Sequence, residues 1–167
     1  MGTETCTEEI AGGTSFVWET GIGRGLAPVT TQIVCEILGI SPRLVVAGPP
    51  DTRRTPNAGT TTASRQTVFT GESTRRAANL LKEQLDAGKT LADLEGREFY
   101  AEYLGETDPM GSDKENPKSH IAYGYAAEVV ELDDEGKIAK ITAAYDLGRV
   151  INPRAAAGQI EGGIVMA

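Results

Sequence analysis

The stretch Ala143 to Ala167, AAYDLGRVINPRAAAGQIEGGIVMA, constrains the fold more than any other part of the chain. A β-prone run, Ile138 to Tyr145, leads into Asp146-Leu147-Gly148-Arg149, which reads as a tight turn. Asn152 is placed to cap a helix whose first residue is Pro153, where a missing N–H costs nothing. That helix carries Gln159 beside a small-residue surface of Ala155, Ala156, Ala157, Gly158, Gly162 and Gly163. With so little bulk there, another helix or a bulky ligand can approach the backbone closely.

The remaining periodicities supply more elements. Gly13 to Glu19 is β-prone and runs into the glycines of Gly21-Ile22-Gly23-Arg24-Gly25. Pro28 opens a helix with apolar positions Ile33, Val34, Ile37 and Leu38, ended by Gly39. Leu44 to Ala47 reads as a short buried strand, and Asp51 to Thr60 as loop. A long helix from about Thr62 to Ala87 turns Ala63, Val68, Ala77, Ala78, Leu81 and Leu85 inward, with Arg75, Arg76, Lys82 and Glu83 outward. Gly71 inside it costs about 1 kcal/mol against alanine, which suggests tight packing. Leu91 to Leu94 reads as a turn, Arg97 to Tyr103 as a strand and Gly105 to Ser119 as a polar loop. His120 to Leu132 then pairs through Asp133-Asp134-Glu135-Gly136 with Lys137 to Tyr145.

This order predicts an α+β fold: a mixed β-sheet with helices packed mainly on one face, in a layered sandwich. Residues 1–11 read as a polar lead-in to a domain spanning 12–167. The last helix stops mid-pattern, so the domain is expected to be a fragment of a larger subunit.

Composition narrows the function. The 167 residues have the length of one domain, and aromatics at 5% leave an aliphatic core. A net charge of −8 argues against a nucleic-acid surface, which needs clustered Lys and Arg. No apolar run approaches the ~18 residues needed to span a bilayer. Cys6 and Cys35 are too few and too far apart for a metal box. Without a secretory signal they read as reduced thiols in a cytoplasmic protein, Cys35 in the core. His120, the only histidine, has no Cys or carboxylate at ligand spacing, so no metal-ligating residue is expected. Glu131, Asp133, Asp134 and Glu135 read as a solvated hairpin.

Gly59 to Thr67 is the most chemical of the loops. The hydroxyls of Thr60, Thr61, Thr62 and Ser64 gather where the long helix starts, and Arg65 and Gln66 add donors. Orphan amides and the helix dipole favour an anion there, a phosphate or pyrophosphate above all. The same hydroxyls also suit a plain N-cap that binds nothing.

Three motifs, in the family's order along the chain, resemble the molybdenum hydroxylases, the family of xanthine dehydrogenase and aldehyde oxidase, in the large subunit that binds molybdopterin. D-x-G-R-x-I-N-P followed by G-Q-I-E-G-G spans 146–163. The glycine loop of Trp18 to Gly25 stands at the family's G-Q-G. Asp51 to Thr67 matches D-T-x-x-T-P-x-x-x-x-T-x-A-S-R-Q-T. The resemblance covers roughly residues 12–167, with 86–118 matching only in position. It implies a molybdopterin-binding domain of an oxidoreductase that hydroxylates N-heterocycles or aldehydes using water.

On that resemblance Gly23, Arg24, Gly25, Thr61, Ala63, Ser64, Gln66 and Gln159 face the cofactor, with Ala63 close to the metal. Glu161 receives a structural role. Arg24 departs from the pattern, a cation where the family commonly has Gln and able to pair with a phosphate. It leaves open a degenerate domain without cofactor that serves in subunit interaction. The local pattern alone leaves open an unrelated anion-binding α+β domain.

The family's catalytic Glu lies in a G-E-P loop beyond Ala167, so no catalytic residue is expected here. Nor can two cysteines ligate an iron–sulfur cluster. The implied partners are therefore the remainder of the large subunit, iron–sulfur and FAD subunits or domains, and a small-molecule substrate. In a bacterial enzyme the cofactor would take the cytosine dinucleotide form. Alone, the chain is expected to be inactive and to self-associate through exposed apolar surface.

Overall fold

The computed structural model describes residues 2–11, 14–17, 25–48, 64–109 and 111–166. In chain order these form β1 (Gly2–Ala11), β2 (Thr14–Val17), α1 (Leu26–Leu38), β3 (Val46–Gly48), α2 (Gln66–Asp86), β4 (Glu98–Thr107), β5 (Tyr125–Leu132), β6 (Ile138–Asp146) and α3 (Pro153–Met166). Single 3-10 turns lie at Pro42–Leu44 and Ala92–Leu94.

The first four strands make one mixed sheet in the order β3-β2-β1-β4. β1 is antiparallel to both neighbours, while β2 and β3 are parallel. It follows that β2, β3 and β4 all point one way, with β4 running six residues past the level at which β2 ends. Within the stretch 1–11, expected as a polar lead-in, Gly2–Ala11 forms an interior strand that pairs with β4 from Gly2↔Thr107 to Ala11↔Glu98. Its alternating Thr and Glu carry little hydrophobic signal, yet threonine favours a strand once a partner is present.

α1 begins at Leu26 because Gly25, at φ 80°, turns the chain into it. Gly39, at φ 67°, ends it and donates its N–H to the Cys35 carbonyl at 2.9 Å. The Cys35 thiol is half-buried, and that burial pushes its pKa up, away from reactivity. α2 begins at Gln66 rather than Thr62, since Ser64 takes a left-handed φ of 55° outside the helix.

The two helices pack side by side and run in the same direction. A Cβ on the buried Gly71 would lie 3.3 Å from Ile33 Cδ1, which accounts for glycine there. Next to this contact, Val34 of α1 and Ala77, Ala78 and Leu81 of α2 join Leu94 and Ala101 in a single core. Ile37, Leu38 and Leu85 pack against it near the helix ends. Three of the eight buried residues of α2 are polar, however: Thr70, Ser73 and Thr74 are all enclosed. Ser73 and Thr74 donate their hydroxyls to the Thr70 carbonyl at 3.0 and 2.7 Å. Thr30 of α1 does the same to Ala27 at 3.0 Å. The hydroxyls of Ser73, Thr74 and Thr30 are thus satisfied within their own helices, which offsets the cost of burying them.

On the outer side of α2, Glu72 accepts from Arg75 at 2.7 Å and Arg76 at 2.8 Å. Arg76 also covers the Tyr103 ring and donates to the Glu102 carbonyl at 2.9 Å. Hydrogen bonding by Arg75 first, then by Arg76, holds the Glu72 carboxyl down at about 2. A depressed carboxylate stabilises the fold fully above its unfolded value near 4.5, and that stabilisation is lost as pH falls from there toward 2. Glu72→Gln should therefore cost about 1–2 kcal/mol at pH 7, after discounting for the exposed guanidinium groups. Urea melts of the two proteins at pH 7 and pH 2.5 check this: the gap should narrow markedly at the lower pH.

β5 and β6 stand apart as a two-stranded sheet rather than extending the first one. Their turn is closed by Gly136 at φ 77° and by Asp133, whose Oδ1 accepts the N–H groups of Glu135 and Lys137. Register places Val130, Leu132, Ile138, Ile141 and Tyr145 on one face, and all five are exposed. The polar segment after β4 is tied at its neck, where the Asp108 N–H reaches the Lys118 carbonyl and Asp108 Oδ2 accepts the Lys118 N–H, both at 2.8 Å. No helix among the described residues is long and apolar enough to cross a membrane.

Candidate cofactor site

β2 and β3 are parallel, and each is followed by a helix after a glycine-containing connection, so both connections leave the sheet at the same edge. In open sheets ligands gather at the carboxyl ends of parallel strands, beside helix N-termini. The connections themselves lie outside the described residues, and with them Gly23, Arg24, Thr61 and Ala63. The residues that flank them are placed.

Gly25 caps α1, and a Cβ on it would sit 4.0 Å from Ala155 Cβ in the first turn of α3. The start of α3 is set locally. Asn152 Oδ1 accepts the Ala155 N–H at 3.1 Å, as the sequence predicts of a cap, and its carbonyl accepts from Ala156 at 3.0 Å. The preceding turn bends at Gly148, φ 69°, whose N–H donates to Asp146 Oδ1 at 2.8 Å. Arg149 then pairs with Glu36 of α1 at 2.7 Å, an exposed contact that orients more than it stabilises. In this way the 146–163 motif is brought against the end of the glycine loop.

Gln159 is exposed on α3, and nothing lies within 4 Å of a Cβ built at Gly158, Gly162 or Gly163. The small-residue surface is thus open. Beside it an open groove of about 340 Å³ runs between the end of β6 and α3, lined by Leu147, Val150, Pro153, Ala156 and Ile160. A larger groove, around Arg75, Asn79 and Glu83 on the outer side of α2, contains none of the motif residues.

At the start of α2, Ser64 is exposed, whereas Gln66 turns inward. Its Nε2 is fully enclosed and has no hydrogen-bond partner among the described residues. An orphaned buried donor costs about 1–3 kcal/mol, so an acceptor belongs beside it. The helix has no side-chain cap. Its first internal bonds run from Val68 and Phe69 to the Arg65 carbonyl, each 3.0 Å, leaving the Gln66 and Thr67 amides ahead of them. These donors fit an anionic, acceptor-rich group such as a pterin phosphate.

Sequence reasoning missed Phe69, whose ring packs under the Arg65 guanidinium (5.6 Å to the centroid) and edge-on to Tyr103 at 5.4 Å. It falls three residues after Gln66, outside the apolar spacing of the rest of the helix.

Comparison with known proteins agrees with this geometry. The family described as molybdopterin cofactor-binding domain matches residues 15–93 and 86–167. The gamma subunit of the 6-hydroxypseudooxynicotine dehydrogenase complex of Paenarthrobacter nicotinovorans is 28% identical across 87% of this chain and 23% of its own length. Xanthine dehydrogenase/oxidase of Felis catus is 26% identical across 87% of this chain and 12% of its own. The aldehyde oxidoreductase of Desulfovibrio desulfuricans superposes with a TM-score of 0.74 over 96% of this chain and 20% of its own, at 23% identity. The chain therefore spans a quarter or less of each of these relatives. By motif, fold and family match, it belongs to the molybdopterin cofactor-binding domain family of the molybdenum hydroxylases.

Proposed function

We propose that this chain forms one wall of a molybdenum-cofactor site in the large subunit of an oxidoreductase that hydroxylates N-heterocycles or aldehydes using water. The observation that carries the reading is the enclosed, unpartnered Nε2 of Gln66 at an uncapped helix start. When bound, the cofactor supplies the redox metal that takes electrons from the substrate. The chain's own residues bind and orient it. Gln66 donates to an acceptor on the pterin or its phosphate, while the first amides of α2 and the Ser64 hydroxyl favour the negative charge. Gly25 lets the backbone come close, and Gln159 approaches from α3. Thr61, Ala63, Gly23 and Arg24 complete the wall, Arg24 as a cation for a phosphate, such as that of a cytosine dinucleotide form.

The catalytic base and the electron outlet are assigned to the remainder of the subunit and to iron–sulfur and FAD partners, in a cytoplasmic complex. Two features support such partners: the uncovered apolar face of β5–β6 and the open small-residue surface of α3. A two-stranded hairpin is marginal alone, so its exposed Val130, Leu132 and Ile138 suit a docking face.

Each amide contact is worth about 1–1.5 kcal/mol, close to tenfold in affinity. In the intact enzyme, Gln66→Ala and Gln159→Ala should each lower the molybdenum retained through extensive dialysis by about that factor under limiting cofactor. Full retention in both variants would sink the reading. Arg24 favours a second one, a domain that has lost its cofactor and serves in subunit assembly; it predicts a native complex free of molybdenum.

A further inference from the structure

We propose that Phe69 and Gly105 form a plug and notch that position Gln66 for the cofactor. The proposal rests on the reading of Gln66 given above. β4 turns Phe99, Ala101, Tyr103, Gly105 and Thr107 toward α2, with Ala101 and Gly105 fully covered. Gly105 is not among the residues with positive φ, so its backbone does not require glycine. Space does. A Cβ there would strike the Phe69 ring, lying 2.6 Å from Cε1 and 3.3 Å from Cε2, besides the still closer Cζ.

The ring that fills this notch is itself 3% exposed and held on every side the structure describes. Tyr103 meets it edge-on at 5.4 Å with 61° between planes, and Arg65 lies over it at 5.6 Å. Phe69 and Arg65 stand one helical turn apart, and Gln66 lies between them. Seating the ring therefore fixes the height and rotation of the first turn of α2. The same turn sets where the enclosed Nε2 of Gln66 points. Register through β1 sets Ala101 level with Val17, the end of β2, and Gly105 four residues further in the direction in which β2 runs. Gly105 and Phe69 are positioning residues: they act through Gln66 and touch no cofactor.

The test is made on the intact enzyme. Gly105→Ala should push the ring out, speed amide exchange of peptides covering 64–70 while those covering 77–81 stay protected, and deplete most of the molybdenum. Adding Phe69→Leu to Gly105→Ala removes the clashing ring atoms and should restore both protection and metal. Retention of metal and protection in Gly105→Ala would overturn the proposal. So would loss of protection at 77–81 with no recovery in the double variant, because unfolding would then explain the depletion. Gln66→Ala, measured alongside, separates the two claims. If it keeps its metal while Gly105→Ala loosens only 64–70, the plug and notch stand and the assignment of Gln66 falls.

Discussion

Phe69→Ala is expected to destabilise the protein by about 3–5 kcal/mol, the usual cost of deleting an enclosed aromatic ring. The ring is 3% exposed, and Gly105 beneath it has no side chain to fill the space. The cavity would therefore collapse poorly, which puts the cost at the upper end of that range. Urea unfolding followed by circular dichroism measures it; a loss below 1 kcal/mol would show that the notch closes by itself.

Leu81→Ala should cost about 2–5 kcal/mol by the same mechanism, at the other end of α2. Leu81 is 4% exposed and shares a core with Val34, Ala77, Ala78, Leu94 and Ala101. Its neighbours on the same helix, Ala77 and Ala78, are already minimal and cannot reach into the void. The two variants differ in a second readout. In the intact enzyme Phe69→Ala should deplete molybdenum more than its stability loss explains, whereas Leu81→Ala, at equal stability loss, should leave the metal nearly in place. Equal depletion in both would mean that the start of α2 has no special relation to the cofactor.

Legibility followed the range of the interactions. The Asn152 cap and the Gly148 turn involve residues within three positions of each other, and the chain announces them by residue type alone. The hairpin at Asp133 to Gly136 was legible for the same reason. Gly71 pointed to a close helix contact, and Ile33 supplies it. β1 escaped because its full-length pairing is with β4, about ninety residues away, and pairing of that kind leaves no local hydrophobic period. Ala77, Ala78 and Leu81 were legible on the enclosed face of α2, but Thr70, Ser73 and Thr74 beside them escaped because they count as polar, although the Ser73 and Thr74 hydroxyls turn back onto their own helix. The start of α2 was placed four residues early because the Ser64 backbone conformation cannot be read from a serine.

The site shows the same division. Motifs named Gly25, Ser64, Gln66 and Gln159, but only the fold shows that Gln66 is enclosed while Gln159 stands open on α3. Phe69 and Gly105 carry a signal only as a pair, a ring on a helix opposite a glycine with an ordinary backbone, and that pairing exists only once β4 lies under α2.

The central claim is that this chain helps to hold a molybdenum cofactor. The most direct measurement is elemental and pterin analysis of the native complex that contains it, purified without added metal. The account predicts molybdenum and pterin in equal amounts, close to one of each per copy of the chain. A complex with the chain in place but neither molybdenum nor pterin would contradict it.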